Sequence, residues 1–238
     1  MEQQRLLSEP PAHDELLFIV VHQVYELWFK QLIFELSAVR DLIASDEPQR
    51  ARHLLKRIHT IERVLIEQLE VLETMSPQDF LEFRIQLAPA SGFQSVQFRE
   101  VEFISGLRDD AYLERLTLEP EERERLKRHL AEPSLWDAFC SFLDKRGLPM
   151  PPDDPDVRRA SLLQMARDRR RFGEEFDLSE HLLRHDSLVA QWRQRHVLMV
   201  ERQIGTKSGT GGSTGAPYLR STLTKRFFPE LWDLRSYL

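Results

Sequence analysis

The sequence predicts an all-α protein built as a single helical domain over residues 1–238. Three observations carry that expectation. Apolar residues recur at steps of three and four along most of the chain. No stretch alternates apolar and polar in the manner of a half-buried strand. Glycine is sparse, and five of the nine glycines fall between Gly205 and Gly215, where SGTGGSTG can neither pack a core nor hold a helix. With 41% apolar and 30% charged side chains, the composition is that of a globular protein large enough to bury a substantial core.

Element by element, residues 14–44 come first, with LLFIVVHQVYELWFKQLIF apolar almost all the way round, the pattern of a central helix covered by others. Residues 47–74 carry Leu54, Ile58, Ile61, Leu65 and Leu72 on one stripe, with Glu and Arg outside, which is an amphipathic helix packed on a neighbour. A helix over 77–87 opens on SPQD, a cap followed by an early-turn acid. Further helices are expected at 93–107, 119–131, 133–146, 156–172 and 176–203. GLPMPPDDPD, residues 147–156, is a loop because its prolines remove donors and fix φ. The helices beyond it have apolar faces that need cover, so one domain is favoured over two.

Composition also sets the expected partners and compartment. No run of about 18 apolar residues is present, so no membrane-spanning helix is expected. MEQQRLLSEPPAHDE lacks the basic-then-apolar order of a signal peptide. Cys140 is the single cysteine, which excludes an internal disulfide and a thiolate metal cluster. The cytoplasm is the expected compartment. A net charge of −6 argues against a nucleic-acid partner. The basic run Arg167 to Arg171 reads as a solvated helix face, with a local anion site as the alternative.

Among eight histidines, His13, His53, His59 and His129 lie between charged residues and are expected to be exposed. His181 and His185, four apart on a helix, have a spacing that can chelate a divalent metal, but no matching ligand motif accompanies them. His22 sits on the most apolar helix, either as a hydrogen-bonded core histidine or as a pocket-facing donor or acceptor. His196 has Trp192 one turn before it and Val200 one turn after. A neutral imidazole in apolar surroundings suits the axial position of a haem iron, and a core histidine has the same neighbours. Arg84, between Phe83 and Ile85 near a helix end, is suited to grip a carboxylate through paired bonds or to cover apolar neighbours at the surface. No nucleotide-binding fingerprint and no nucleophile elbow is present. An apolar pocket with few polar groups suits a cofactor that brings its own reactivity.

Three stretches, HQVYELWFKQ, FRIQLAPASGFQSVQFR and RHVLMVERQIGTKSGTGGSTGAPYLRSTL, together resemble the tryptophan 2,3-dioxygenase family, from about Asp14 to the terminal FFPELWDLR. The resemblance implies an all-helical, tetrameric enzyme with ferrous haem b that acts on L-tryptophan and O2 to open the indole ring. It implies that His196 is the proximal ligand of the haem iron and that His22 is the distal catalytic residue, bonding the indole N–H. Phe18 and Phe80 would line the pocket, and Arg84 would bind the substrate carboxylate. Leu87 and Ser91 would flank indole and haem, with Gly92 and Phe98 on the cofactor side. Thr210 would meet the amino-acid end of the substrate from the 205–217 segment, read as a glycine-rich lid. The family's N-terminal arm with its pair of tyrosines has no match in MEQQRLLSEPP, where no tyrosine precedes Tyr25. A haem oxygenase of another aromatic substrate, or a haem-binding helical oligomer without catalysis, are the alternatives.

Overall fold

The computed structural model describes residues 4–88, 92–210 and 213–238. Among them are helices α1 (Glu15–Ala44), α2 (Pro48–Glu73), α3 (Pro77–Phe83), α4 (Val96–Ser105), α5 (Tyr112–Arg115) and α6 (Pro120–Ala131). These are followed by α7 (Leu135–Lys145), α8 (Pro155–Arg167), α9 (Gly173–Ile204), α10 (Ala216–Ser221) and α11 (Pro229–Asp233). Short 3-10 turns occupy Arg84–Leu87, Gly92–Gln94 and Leu234–Tyr237. No strand occurs among the described residues. The all-α expectation holds.

The long helices α1, α2 and α9 form the frame, α2 lying against both of the others. Their contact faces follow helical spacing. Val21, Tyr25, Phe29, Leu32, Leu36, Val39 and Ile43 are buried on α1, and Leu55, Ile58, Ile61, Leu65, Leu69 and Leu72 on α2. Leu54, expected on that stripe, is only partly buried. Helices α4 and α7 complete the packing around α1. Polar ties cross the frame as well: Tyr25 donates its hydroxyl to the Leu65 carbonyl at 2.7 Å, and Gln68 donates to the Val21 carbonyl at 3.0 Å. A smaller apolar cluster of Val96, Phe103, Tyr112, Leu116 and Leu126 joins α4, α5 and α6.

Local chemistry explains the helix boundaries. Ser76 and Asp79 form a reciprocal capping box at the start of α3, and Ser134 and Asp137 do the same for α7; each satisfies two orphan N–H groups. Asp154 accepts from the N–H groups of Asp156 and Val157 and starts α8 at Pro155, where proline's missing donor costs nothing. The segment 77–87 tightens to a 3-10 turn after Phe83, and 93–107 shortens to α4 because Ser95 caps at its own position.

Two expectations about helices are corrected. Helix α1 is not covered all round: Leu16, Val20, Leu27 and Phe34, at steps of four, seven and seven, are 46, 40, 67 and 71% exposed, a continuous outer stripe. By length and composition this helix is also apolar enough to cross a membrane, although its inner face is packed by α2, α4 and α7. The second correction concerns the basic run. Helix α8 ends at Arg167, so Arg169 to Arg171 lie in the turn before α9. Arg169 and Arg171 sit over the rings of Phe176 and Phe172, so the run is a solvated turn whose stems cover aromatics.

Candidate functional site

The site forms where the N-terminal half of α1, the end of α3, α4 and the C-terminal half of α9 meet. Phe18 and His22 stand one turn apart on α1, so their rings share a face with centroids 4.0 Å apart. Phe18 stacks on Phe80 of α3 at 5.4 Å and meets the edge of Phe83 at 5.7 Å. Phe80 and Phe83 pack edge to face at 5.5 Å. These contacts make an aromatic wall beside His22. The His22 Nδ1 lies 2.7 Å from the Phe18 carbonyl, which only accepts. Nδ1 therefore carries the proton, and Nε2 keeps its lone pair.

On α9, His196 stacks on Trp192 with centroids 5.4 Å apart. Trp192 is wedged by Phe98 of α4 at 5.1 Å, by Tyr25 at 6.1 Å and by the edge of Phe29 at 6.3 Å. Desolvation brings the His196 pKa down to about 4, with proximity to His22 contributing further. The His22 pKa is also lowered, chiefly by desolvation, against the bond to Phe18 and the charge of Glu26. Both imidazoles are therefore neutral at pH 7, and they lie close enough to feel each other.

Beneath this wall lies a buried charge network. Arg99 and Arg193 both bond to Glu102, the latter at 2.7 Å. The Arg99 guanidinium lies over the rings of Phe98 and Tyr112 at 4.8 and 4.3 Å, and its Nε is buried with no partner. Two guanidinium cations thus share one buried carboxylate.

Arg84, at the turn after α3, donates from Nη2 to the Ser208 carbonyl in the glycine segment. That segment connects α9 to α10. Gly205 and Gly215 have φ of 58° and 73°, a conformation that favours glycine. A β-carbon on Gly215 would collide with the Lys207 carbonyl, and Gly209 N–H donates to Ser213 O at 3.0 Å, so the neck of the loop is pinched shut.

The sequence-derived residues thus divide. Phe18, His22 and Phe80 form one wall, Phe98 and His196 join through Trp192, and Arg84 meets the loop that carries Thr210. Leu87 is buried in the main core cluster. Gly92 begins a 3-10 turn, where an added β-carbon would meet nothing within 4 Å. Ser91 lies outside the described residues. Trp192, Phe83 and Arg99 join the site from the structure. Trp192 had a signal in its place one turn before His196, whereas the orphaned Arg99 donor is visible only in three dimensions.

The other histidines correct the sequence reading. His13 and His53 are exposed, but His59 and His129 are buried. His59 bonds the His181 carbonyl at 3.0 Å and stacks on the His181 ring. His129 lies 3.3 Å from Glu100. Both stand among charged residues in sequence, yet the helix turns them inward. His181 and His185 do not form a chelating pair. His185 is fully buried between Glu62 and Ser105, and no group of three metal-ligating side chains occurs among the described residues. Ser105, His185 and Glu62 have the connectivity of a nucleophilic triad. Ser105 Oγ, however, donates to Val101 O at 2.7 Å, and all three side chains are sealed from solvent. A groove of about 920 Å³ on the outside of α2 and α9 contains none of the site residues named above.

An all-helical frame that presents two neutral, desolvated imidazoles beside an aromatic wall is an arrangement suited to an apolar ligand with few polar contacts. The family model for tryptophan 2,3-dioxygenase matches residues 1–149 and 155–238. A tryptophan 2,3-dioxygenase of Nocardioides sp. is 58% identical across all of this chain and 90% of the relative. Those of Herpetosiphon aurantiacus and Caulobacter vibrioides are 45% and 42% identical, covering 97% and 99% of this chain and 91% and 93% of the relatives. The chain belongs to the tryptophan 2,3-dioxygenase family.

Proposed function

We propose that this protein is a dioxygenase of L-tryptophan that inserts both atoms of O2 across the indole C2–C3 bond to give N-formyl-L-kynurenine. It does so with haem b, in the cytoplasm, as a homotetramer. Family membership along the whole chain supports the reaction. The observation that carries the site is the pair of neutral imidazoles, His22 against Phe18 and His196 stacked on Trp192, close enough for His22 to act on the charge of His196. The exposed apolar stripe on α1 supports an assembly, since such surface is normally covered. No electrons beyond those of tryptophan and O2 are required: the C2–C3 bond is broken, and each carbon gains one oxygen.

The residues present fit a haem. His196 makes no hydrogen bond among the described residues, so its lone pair is available, and its low pKa keeps it unprotonated. Arg99 presents an unpaired buried N–H beside Phe98, which suits a propionate. His196 would ligate the iron, Phe98 would pack against the macrocycle, and Arg99 would pair with a propionate. When bound, ferrous haem supplies the binding and activation of O2.

The remaining work belongs to the chain. His22 accepts the indole N–H at Nε2, because Nδ1–H is committed to Phe18. Phe18, Phe80 and Phe83 give the indole an apolar wall. Arg84 takes the substrate carboxylate, a stronger acceptor than the Ser208 carbonyl it now holds. Held at both ends, the indole is presented in one orientation, which removes entropy from the reacting pair before chemistry begins. The glycine segment with Thr210 covers the site and excludes water.

The test is an anaerobic titration of the dithionite-reduced, haem-loaded protein with L-tryptophan, followed by air. A tryptophan-dependent change in the visible spectrum and formation of N-formylkynurenine on admitting oxygen are expected. Haem uptake without any response to tryptophan would assign a different substrate.

A further inference from the structure

The indole of Trp192 lies one turn before His196 on α9, and the two rings face each other with their planes 19° from parallel. We propose that Trp192 is the positioning residue for the haem ligand, setting the orientation of the His196 ring by stacking. This inference rests on the haem reading above.

A ligating histidine normally donates its second ring N–H to a carboxylate or carbonyl, and that bond fixes the plane of the ring. No described residue accepts such a bond from His196. The neighbour that acts on its charge is His22, and His22 already donates its one proton to Phe18. Without a hydrogen bond, the last torsion of a histidine side chain is broad. Something else must narrow it.

Trp192 can do so because it is itself immobilised. Phe98 from α4 packs against the indole at 5.1 Å and 50°, Tyr25 from α1 at 6.1 Å and 57°, and Phe29 meets it edge-on at 6.3 Å and 88°. Tyr25 is anchored in turn to α2 through the Leu65 carbonyl. The indole plane is thereby referenced to three helices besides its own. Its buried Nε1–H lies toward Tyr25 without a hydrogen bond of full geometry, so ring contacts hold most of the residue and Tyr25 adds a polar one. A one-turn spacing then brings the imidazole onto the remaining face.

The experiment compares wild type with Trp192→Phe, which keeps an aromatic face, and Trp192→Leu, which keeps apolar bulk but has none. Two quantities are read on the haem-loaded protein: the rate of haem transfer to excess apomyoglobin, and the position and width of the iron–histidine stretching band of the ferrous form without substrate. Trp192→Leu should lose haem about tenfold faster, within the range for removing a support of a metal ligand, and should show a shifted or broadened band. Trp192→Phe should stay close to wild type on both. Equal impairment of Phe and Leu variants, or a Leu variant indistinguishable from wild type, overturns the proposal. If the Leu variant does not fold, Trp192→Met, apolar and without a ring, takes its place under the same two criteria. Wild-type protein that takes up no haem overturns the haem reading and this inference together. Haem uptake with an unperturbed band in the ring-free variant overturns this inference alone.

Discussion

His185 and His196 lie eleven positions apart on the same helix, about three turns along nearly the same face, and the fold treats them in opposite ways. Both nitrogens of His185 are claimed, Nδ1 by Glu62 and Nε2 by Ser105 Oγ at 2.9 Å, and its ring is stacked on Phe227 at 5.1 Å. His196 has an aromatic support and no hydrogen bond. The Glu62 carboxylate, its pKa raised by burial, is held in an interior position by that histidine. A satisfied histidine ties helices together. One whose lone pair the fold leaves unclaimed is available to a ligand. His22 is the intermediate case, with one nitrogen committed to its own helix and one free.

The contrast is sharpest if one imidazole is removed from the unsatisfied side. His196→Ala should abolish stoichiometric haem uptake while leaving the apoprotein folded, read as the haem-to-protein ratio beside a circular-dichroism melt. Retention of haem at full stoichiometry would break the comparison.

The satisfied side should respond in stability instead. Glu62→Ala strands a fully buried imidazole, and breaking a buried pair in this way costs about 3–5 kcal/mol. Denaturant unfolding should show that loss, and haem affinity of the folded fraction should stay unchanged. A variant as stable as wild type would mean the cluster is not holding α2 to α9.

Arg84→Ala tests the far end of the substrate. Losing a hydrogen bond to a charged group is worth about 1.5–3 kcal/mol, so the tryptophan concentration for half-maximal rate should rise by about 10- to 100-fold, with a smaller change in kcat. An unchanged apparent affinity would remove Arg84 from the site.

The smallest effect concerns acid. His59 is buried with its pKa pushed down to about 3, first by desolvation and then by the nearby His185. In the unfolded chain it titrates near 6.5, so below that pH the unfolded state binds the extra proton, and stability is lost as pH falls from about 6.5 toward 3. His22, His181 and His196, whose pKa values are also lowered, act with the same sign. His59→Gln should therefore flatten the decline of the apoprotein melting temperature between pH 7 and 4 by a few degrees. An identical slope would assign the decline to other groups.

Much of this molecule is legible in one dimension. Helical period, the SPQD cap, the proline loop and the glycine cluster are local properties of residues close in the chain, and the helices they imply are present within a few positions. The candidate site residues His22 and His196 stand out in sequence through HQVYELWFKQ and RHVLMVERQIG, because long motifs carry residue type and spacing together. The short α5, α10 and α11 were not anticipated, since elements of four to six residues have too few turns to display a period.

Burial and partnership are different in kind. His59 and His129 have charged neighbours along the chain and are buried all the same, while Leu27 and Phe34, in the most apolar helix of the sequence, face outward. Sequence by itself determined where the long helices run and which chemistries are available, because backbone propensity and side-chain type act over a few residues. Only the tertiary structure decided which imidazole is satisfied and which is free, which guanidinium is left with an unpaired donor, and that Trp192 supports His196. Those depend on atoms brought together from α1, α2, α4 and α9, and hydrogen bonds and ring contacts form at distances of a few ångströms whatever the separation along the chain.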